Sequence, residues 1–506
     1  MASSFTRRVF VALVSLIFIL MLAAGLGPTR ILHAQSPDTK LEWSRPIPIS
    51  EALIGSSYPA IAADDTGQVF LIWSAAIPSD TIYISRYDGS VWSRPNDILI
   101  GGPRSILELD GRNELHVMLV SDGTVLLKGA AVADSGSARG WGTDAQLSRG
   151  KTALIGDFLT DSRGVIHAIW FESSQSCESC YRVAYLQLNN PAKNTSTYRA
   201  ISDSVPQPKR ESDDQAAPPP AQHGQLVRLA DGTLFAMWNA ALPGKAGIQI
   251  SVSKNDGDTW LDEPISFSAE LGDLAQPYLL VDKEGKFILI YNVINKDETF
   301  YSVSTDQGVT WTEAAPIPGL FAGKPSLGTD YFAAAYDSEG TAHVIAVGRT
   351  SKEQPVPGLY HLQWDGKAWM PPEKIYLDDN FVNFPAVAIS NGNKLHVSFA
   401  TLDKNRLDGE PNESYQVWYS TAQTSAAQAT RVPLPTLTPQ PTPLPTEPVT
   451  ATPTRRPSPT PDLSQTSGED DATDINAQLP LIIGIVPVIG ILVLVVVLNS
   501  VLRRRH

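Results

Sequence analysis

The chain has 506 residues, of which 42% are hydrophobic, and it carries a net charge of −14 with a pI near 5.1. This acidic balance argues against a nucleic-acid partner, because binding to a phosphate backbone requires a basic surface. Two cysteines are too few for a disulfide framework, so packing and strand pairing must hold the fold together.

The N-terminus is typical of a secretory signal. Arg7 and Arg8 precede an apolar run over residues 9–26, and Ala34 is a small residue at a suitable cleavage point. We therefore predict a signal peptide over residues 1–34. An uncleaved signal anchor is the alternative, because the apolar run is long for a signal. In both cases the rest of the chain is exported.

A unit of two apolar strands, A and B, joined by a polar turn containing Asp or Asn and Gly, recurs seven times between residues 60 and 397. Its turn glycines lie mostly about fifty residues apart, which is the period of a four-stranded propeller blade. They are Gly67, Gly111, Gly164, Gly232, Gly285, Gly340 and Gly392.

A hairpin of strands C and D follows these units and is clearest at residues 253–260 and 304–311. In both hairpins a polar side chain can accept the N–H groups of the turn, a glycine can take positive φ, and a tryptophan opens the next strand. The shared positions are Ser253, Asn255, Gly257, Thr259 and Trp260 in one hairpin, and Ser304, Asp306, Gly308, Thr310 and Trp311 in the other.

These hairpins resemble the Asp-box, or BNR, repeat of the sialidase superfamily of β-propellers. The resemblance implies an all-β fold of four-stranded antiparallel blades over residues 41–422, with the Asp-boxes on the face opposite the active site. We predict seven blades, or six if the poorly marked hairpin at residues 131–141 is not a blade unit. Residues 41–49 read as a D strand that precedes every A strand, so we expect them to complete the last blade, after the C strand at 415–419.

Sialidase chemistry, as the family implies it, requires three arginines, a tyrosine nucleophile with a glutamate, and an aspartate acid/base. The Arg-Ile-Pro motif of the family is missing, since residues 45–48 read Arg-Pro-Ile-Pro. Any other glycoside hydrolysis requires two carboxylates at a defined separation. The sequence alone does not give the distance between two carboxylates. Candidates on the face that bears the D-to-A and B-to-C loops are Arg104, Arg349, Glu172, Tyr331, Tyr58 and the pair Asp378 and Asp379.

Cysteines and histidines suggest structural roles. Cys177 and Cys180 follow strand B of the third unit, and in an exported protein we expect them to form a small-ring disulfide; redox use, metal binding and free thiols are the alternatives. Four histidines occupy one position in the repeat, so they lie on different blades and cannot converge on one ion. They are His116, His167, His343 and His396. We predict no metal and no cofactor.

The C-terminal region is typical of a membrane anchor. Residues 432–478 begin with a Pro/Thr-rich segment that favours an extended stalk. Residues 479–502 contain an apolar run long enough to cross a bilayer, and arginines in the tail 503–506 place that tail in the cytoplasm. We predict a single-pass type I protein of the cell membrane, with the lipid bilayer as one partner. A sortase signal is disfavoured, because residues 444–448 lack its Thr-Gly.

The leading functional hypothesis is a cell-surface propeller that binds a glycan or a protein through its loop face, without catalysis. The first alternative is a glycoside hydrolase of exo-α-sialidase type with divergent motifs. The second is an envelope scaffold with no small ligand. Fold alone does not decide among these functions.

Overall fold

The computed structural model describes residues 40–50, 55–75, 81–102, 104–149, 152–174, 177–189, 196–202, 205–206, 221–240, 247–267, 274–293, 296–323, 332–402 and 415–429. These residues form β-strands and one short 3-10 helix, Ala138–Gly140. The predicted all-β class is confirmed.

The strands of the described residues pair antiparallel, mostly in sheets of four consecutive strands. The first sheet contains β2 (Ser57–Ala63), β3 (Val69–Ala75), β4 (Thr81–Tyr87) and β5 (Asn96–Ile100). The second contains β6 (Ser105–Leu109), β7 (Glu114–Ser121), β8 (Thr124–Ala131) and β9 (Gly142–Gln146). The third contains β10 (Ala153–Thr160), β11 (Ile166–Ser174), β12 (Cys177–Leu188), β13 (Thr197–Ala200) and β14 (Val205–Pro206). The fourth contains β15 (Ala221–Arg228), β16 (Leu234–Ala240), β17 (Gly247–Ser253) and β18 (Ile265–Phe267).

The fifth sheet has eight strands, in which two sets of four are connected by a short pairing. The first set is β19 (Leu274–Val281), β20 (Phe287–Val293), β21 (Glu298–Ser304) and β22 (Ala315–Ala322). The second set is β23 (Phe332–Tyr336), β24 (Ala342–Arg349), β25 (Gly358–Gln363) and β26 (Glu373–Tyr376). Strand β22 pairs with β24 at Phe321 with Arg349 and at Ala322 with Gly348, which makes the connection.

The last sheet combines the two ends of the described chain. Strands β27 (Phe381–Ser390), β28 (Lys394–Leu402) and β29 (Tyr415–Gln423) are followed by the N-terminal β1 (Ile47–Pro48). Strand β1 pairs with β29 through Ile47 and Tyr419, and Ser44 N donates to Thr421 O at 2.8 Å. The prediction that the N-terminal strand completes the sheet of residues 415–419 is confirmed.

The innermost strands form a closed ring. Contacts run in the order β2, β6, β10, β15, β19, β23 and β27, and β27 contacts β2. Four-stranded antiparallel sheets around such a ring have the architecture of a β-propeller. Apolar side chains fill the space between neighbouring sheets, as where Ile72 of the first sheet and Val117 of the second share one cluster. Strands such as β3 and β20 are therefore buried at every position.

Five of the A–B turns share one hydrogen-bonding pattern. An aspartate Oδ1 accepts the N–H groups of the residues two and four positions later, which fixes the tight turn between strands A and B. The aspartates that do so are Asp64, Asp110, Asp161, Asp282 and Asp337.

The hairpin at residues 304–311 is held by its own side chains. Asp306 Oδ1 accepts the Ser304 hydroxyl at 2.7 Å and Thr310 N at 2.8 Å, while its Oδ2 accepts the Thr310 hydroxyl at 2.5 Å. Gly308, at φ +88°, donates its N–H to Ser304 Oγ at 2.8 Å. The hairpin at residues 253–260 has the same pattern with Asn255 in the place of Asp306, except that Asn255 Nδ2 donates to the Thr259 hydroxyl at 2.9 Å.

The Asp306 carboxylate should make this hairpin sensitive to acid. Hydrogen bonds from Thr310 and Ser304 lower the pKa of Asp306 to about 2. Because the folded-state pKa lies below the ordinary value, the resulting stabilisation is present above about pH 4 and is lost as the pH falls toward 2. We expect Asp306→Asn, which copies Asn255, to lower the thermal midpoint at pH 5 and to have a vanishing effect near pH 2. A difference in midpoint that does not change with pH would contradict this assignment.

Several predicted segments lie outside the described residues: the signal at 1–34, the stalk at 432–478, the span at 479–502 and the tail at 503–506. Within the described ranges, no helix has the length and apolar character needed to cross a membrane.

Candidate functional site

A cavity of about 370 Å³ lies at the centre of the ring, toward the beginnings of the inner strands. All seven inner strands contribute to its wall. The lining residues that matter below are Tyr58, Arg104, Glu108, Asp157, Gln225, Tyr278 and Phe384.

Five of the inner strands have an irregular register where they line this cavity. A β-bulge interrupts the regular alternation of side chains, and bulges are frequent beside functional sites. The shifts lie between Ser57 and Ala60, Ile155 and Asp157, Gln222 and Gln225, Ala275 and Tyr278, and Asn383 and Ala386. The bulges therefore surround the cavity at one level.

Tyr58 and Phe384 lie in two of these bulges, and their stacked rings form what we call the aromatic wall of the cavity. Their ring centroids are 4.0 Å apart with an interplanar angle of 30°. Their φ angles are 52° and 50°, a region that residues other than glycine rarely adopt, and each precedes a proline, which favours extended backbone instead. Strain of this kind persists only where the surrounding fold imposes it, and it clusters at functional sites.

Other cavity residues connect neighbouring inner strands. Asp157, Gln225 and Tyr278 each follow the bulge of their strand, and each side chain bonds to the backbone of the next inner strand. The contacts are Leu226 N to Asp157 Oδ2 at 2.8 Å, Leu279 N to Gln225 Oε1 at 2.7 Å, Gln225 Nε2 to Leu279 O at 2.8 Å, and Ala334 N to the Tyr278 hydroxyl at 3.0 Å. The polar side of the cavity is therefore part of the framework that fixes the ring.

Glu108 differs from these residues. It lies two positions before the turn residue Asp110, and its carboxylate has no hydrogen-bond or ion-pair partner among the residues that the structure describes. Burial, with a contribution from the negative charge of Asp157, raises the pKa of Glu108 to about 8. Burial also raises the pKa of Asp157 to about 7, although two backbone N–H groups and Arg104 act in the opposite direction. Both carboxyl groups can therefore exchange protons near neutral pH.

The sequence-derived sialidase candidates do not converge in the described structure. Arg104 and Tyr58 line the cavity. Arg349 is buried elsewhere, where its guanidinium donates to Ala322 O at 2.9 Å, Lys352 O at 3.0 Å and Asp297 Oδ1 at 2.9 Å. Tyr331 lies outside the described residues, and Asp378 accepts the Tyr376 hydroxyl at 3.2 Å beside its neighbour Asp379.

Glu172 occupies a separate cluster in the third sheet. Its side chain is 0% exposed, and it accepts the Tyr198 hydroxyl at 2.6 Å, Trp170 Nε1 at 2.9 Å, Arg149 N at 2.9 Å and Arg182 Nη2 at 2.8 Å. Burial alone would raise the pKa of Glu172, but these hydrogen bonds outweigh burial and hold the pKa below its usual range. A Tyr–Glu pair thus exists, with the tyrosine that sequence analysis did not select. Protein donors bond to both carboxylate oxygens of Glu172, which indicates a structural role.

The four equivalent histidines are all buried, and each has its own local partner. The partners are Asp110 for His116 at 3.5 Å, Tyr185 for His167 at 2.8 Å, Asp337 for His343 at 3.2 Å, and Ser390 for His396 at 2.8 Å. As predicted, these histidines pack in separate sheets.

Among the described residues, two groups of side chains have oxygen and nitrogen atoms near enough to hold a metal ion: Asp110 with Glu114 and His116, and Asp161 with His167 and Asp256. In the second group, Arg163 contacts both carboxylates at 2.5 Å, and Arg228 lies 3.3 Å from Asp256 and 3.7 Å from Asp161. The two arginines already offset both negative charges, so this group is better explained as a link between the third and fourth sheets.

Sequence analysis does not identify Glu108, Asp157, Gln225 or Tyr278 as site residues. These residues share a polar side chain on an innermost strand that lines the cavity, which only the arrangement of neighbouring strands reveals. Cys177 and Cys180 lie in β12, but their side chains are outside the described part, so the disulfide stays a prediction.

The chain matches no protein-family model and no curated protein. Among solved structures, it is similar to a protein of unknown function from Dyadobacter fermentans, at 12% identity and TM-score 0.43, covering 76% of this chain and 99% of that one. The polysaccharide lyase Uly1 is 12% identical with TM-score 0.46, covering 72% and 90% of the two chains. The sialidase of Trypanosoma rangeli in complex with the inhibitor DANA is 14% identical with TM-score 0.36, covering 76% and 59%.

Proposed function

We propose that this protein is a non-catalytic, cell-surface β-propeller that binds a carbohydrate in its central cavity. Its seven blades are β2–β5, β6–β9, β10–β13, β15–β18, β19–β22, β23–β26, and β27–β29 with β1. The hairpins at residues 253–260 and 304–311 act as Asp-boxes of the sialidase type. The segment 1–34 directs export, 432–478 forms a stalk, and 479–502 anchors the chain as a type I membrane protein.

One observation carries the proposal: the cavity combines the strained aromatic wall with charged and amide side chains. A sugar ring has C–H faces that pack on aromatic rings, and its hydroxyl groups require hydrogen-bond partners. The cavity of about 370 Å³ is at the lower end of the range for small-molecule sites, roughly 300–1,000 Å³. It therefore suits one or two sugar residues of a longer glycan.

Binding accounts for the geometry better than sialidase chemistry does. That chemistry requires several arginines to hold the substrate carboxylate, whereas Arg104 is the single arginine among the described cavity residues. Arg349 and Glu172 are committed to contacts within the fold. A protein ligand at the loop face is the other partner that the sequence leaves open.

The test is binding of the full-length protein to a glycan array, followed by titration with each bound glycan. Tyr58→Asn removes the ring while keeping a residue that tolerates positive φ, and it should abolish binding. The matched control is Tyr83→Asn, because Tyr83 lies on β4 of the same sheet and outside the cavity. A folded protein that binds no glycan would overturn the proposal and leave the scaffold hypothesis.

A second candidate function is glycoside hydrolysis, favoured by the two neighbouring carboxyl groups with raised pKa values, Glu108 and Asp157. A carboxylic acid that stays protonated near neutral pH can donate a proton to a leaving group. Release of reducing sugar from a bound glycan by the wild type, and its loss in Glu108→Gln, would support hydrolysis. Unchanged glycan after incubation would eliminate it.

A further inference from the structure

The cavity wall contains two carboxyl groups, and the described residues provide a partner for only one of them. Its charged side chains, within the described lining, are Arg104, Glu108 and Asp157. The charge of Arg104 acts on Asp157, whose carboxylate also accepts N–H groups from Phe158 and Leu226. These groups offset part of the cost of a negative charge on Asp157, although burial still raises its pKa to about 7.

Glu108 has no such compensation. Asp157 repels its negative charge, and His116, which acts favourably on it, is already paired with Asp110 at 3.5 Å. An ionised carboxylate in a buried wall is costly unless a positive charge or hydrogen-bond donors approach it. The cavity therefore offers a place for one additional positive charge beside Glu108.

We propose that the ligand supplies this charge, so that the cavity selects a sugar bearing a protonated amine, with the Glu108 carboxylate as the partner of the ammonium group. This inference rests on the proposed carbohydrate binding and specifies the class of sugar. The amine lies beside Glu108, and the sugar ring packs on the aromatic wall.

The other cavity residues agree with a cationic ligand. Aromatic faces attract cations, so the rings of Tyr58 and Phe384 favour the positively charged side of an amino sugar. An acidic sugar would bring a negative charge beside the carboxyl groups of Glu108 and Asp157, where Arg104 is the single cation among the described lining residues. The cavity should therefore discriminate in the order amino sugar, neutral sugar, acidic sugar.

The experiment is calorimetric titration of the full-length protein at pH 7 with glucosamine, N-acetylglucosamine and glucuronate. Glucosamine should bind about tenfold more tightly than its N-acetyl derivative, because a close charge pair in a desolvated site contributes at least that factor. Glu108→Gln should remove this preference. The matched control Glu313→Gln, at an exposed position outside the cavity, should retain it.

Proton release provides an independent readout. Glu108 is mostly protonated in the free protein at pH 7, since its pKa is raised to about 8. An ammonium group favours the ionised carboxylate, so binding should release protons, measurable as different heats in two buffers of unlike protonation enthalpy. Equal binding of glucosamine and N-acetylglucosamine, or a preference that survives Glu108→Gln, would overturn the inference while leaving carbohydrate binding intact. Failure of all three sugars and of the glycan array would instead contradict the proposed function.

Discussion

Replacement of Glu172 by alanine should lower the free energy of unfolding by about 3–5 kcal/mol, the usual loss when one partner of a buried ion pair is removed. The Glu172 side chain is 0% exposed, and its removal leaves Arg182, Tyr198 and Trp170 without their common acceptor. The measurement is the unfolding transition in urea, followed by tryptophan fluorescence.

Two comparisons make the Glu172 prediction specific. Glu172→Gln keeps the shape of the side chain and some of the hydrogen bonds. It should therefore lower the free energy of unfolding by less than Glu172→Ala does. Glu313→Ala removes an exposed carboxylate and should leave the transition nearly unchanged. A stable Glu172→Ala protein with abolished hydrolysis of a sialoside would reverse our assignment and restore the sialidase hypothesis.

Gly257→Ala should be far more destabilising than Gly308→Ala, although both glycines hold the same place in their hairpins. Both have φ +88°, so the backbone strain introduced by a Cβ is the same, about 1–2 kcal/mol. A Cβ at Gly308 would meet its nearest neighbour, Trp311, at an ordinary 3.5 Å. A Cβ at Gly257 would lie 1.8 Å from the Tyr185 hydroxyl and 2.4 Å from the adjoining ring carbon.

Tyr185 cannot easily move to accommodate that methyl group. It is 0% exposed in the core between the third and fourth sheets, and its hydroxyl bonds to His167 at 2.8 Å. The overpacking should add about 1–3 kcal/mol to the strain at Gly257. Thermal unfolding of the two variants measures the difference directly. Equal midpoints would show that the third and fourth sheets are less closely packed at this hairpin than the distances indicate.

Much of the fold could be predicted from local patterns. Tight turns constrain their own residues, so the spacing of Ser304, Asp306, Gly308 and Thr310 was sufficient to predict the hairpin, including its acceptor. Closure of the ring was also predictable. The predicted propeller begins with a D strand that has no preceding C strand and ends with a C strand that has no following D strand, so the two can complete one sheet. The pairing of Ile47 with Tyr419 confirms this reasoning across more than 370 residues.

The candidate site could be predicted only in part, because it depends on contacts between distant residues. Arg349 and Arg104 have similar positions near the ends of strands, yet carbonyl groups and Asp297 hold Arg349 away from the cavity. Glu172 is paired with Tyr198, a residue without any distinguishing local pattern. The bulges that carry Asp157, Gln225 and Tyr278 appear only when neighbouring strands are placed side by side.

The pairing of β1 with β29 also determines where the chain leaves the propeller. Lys40 and Thr424 line one groove together with Asp282 and Asp337 of the A–B turns, so both ends of the described chain emerge on the turn face. The central cavity lies toward the opposite ends of the inner strands. The two ends of the described chain and the central cavity therefore lie toward opposite faces of the ring. Whatever enters the central cavity therefore approaches from the face that neither end of the described chain occupies.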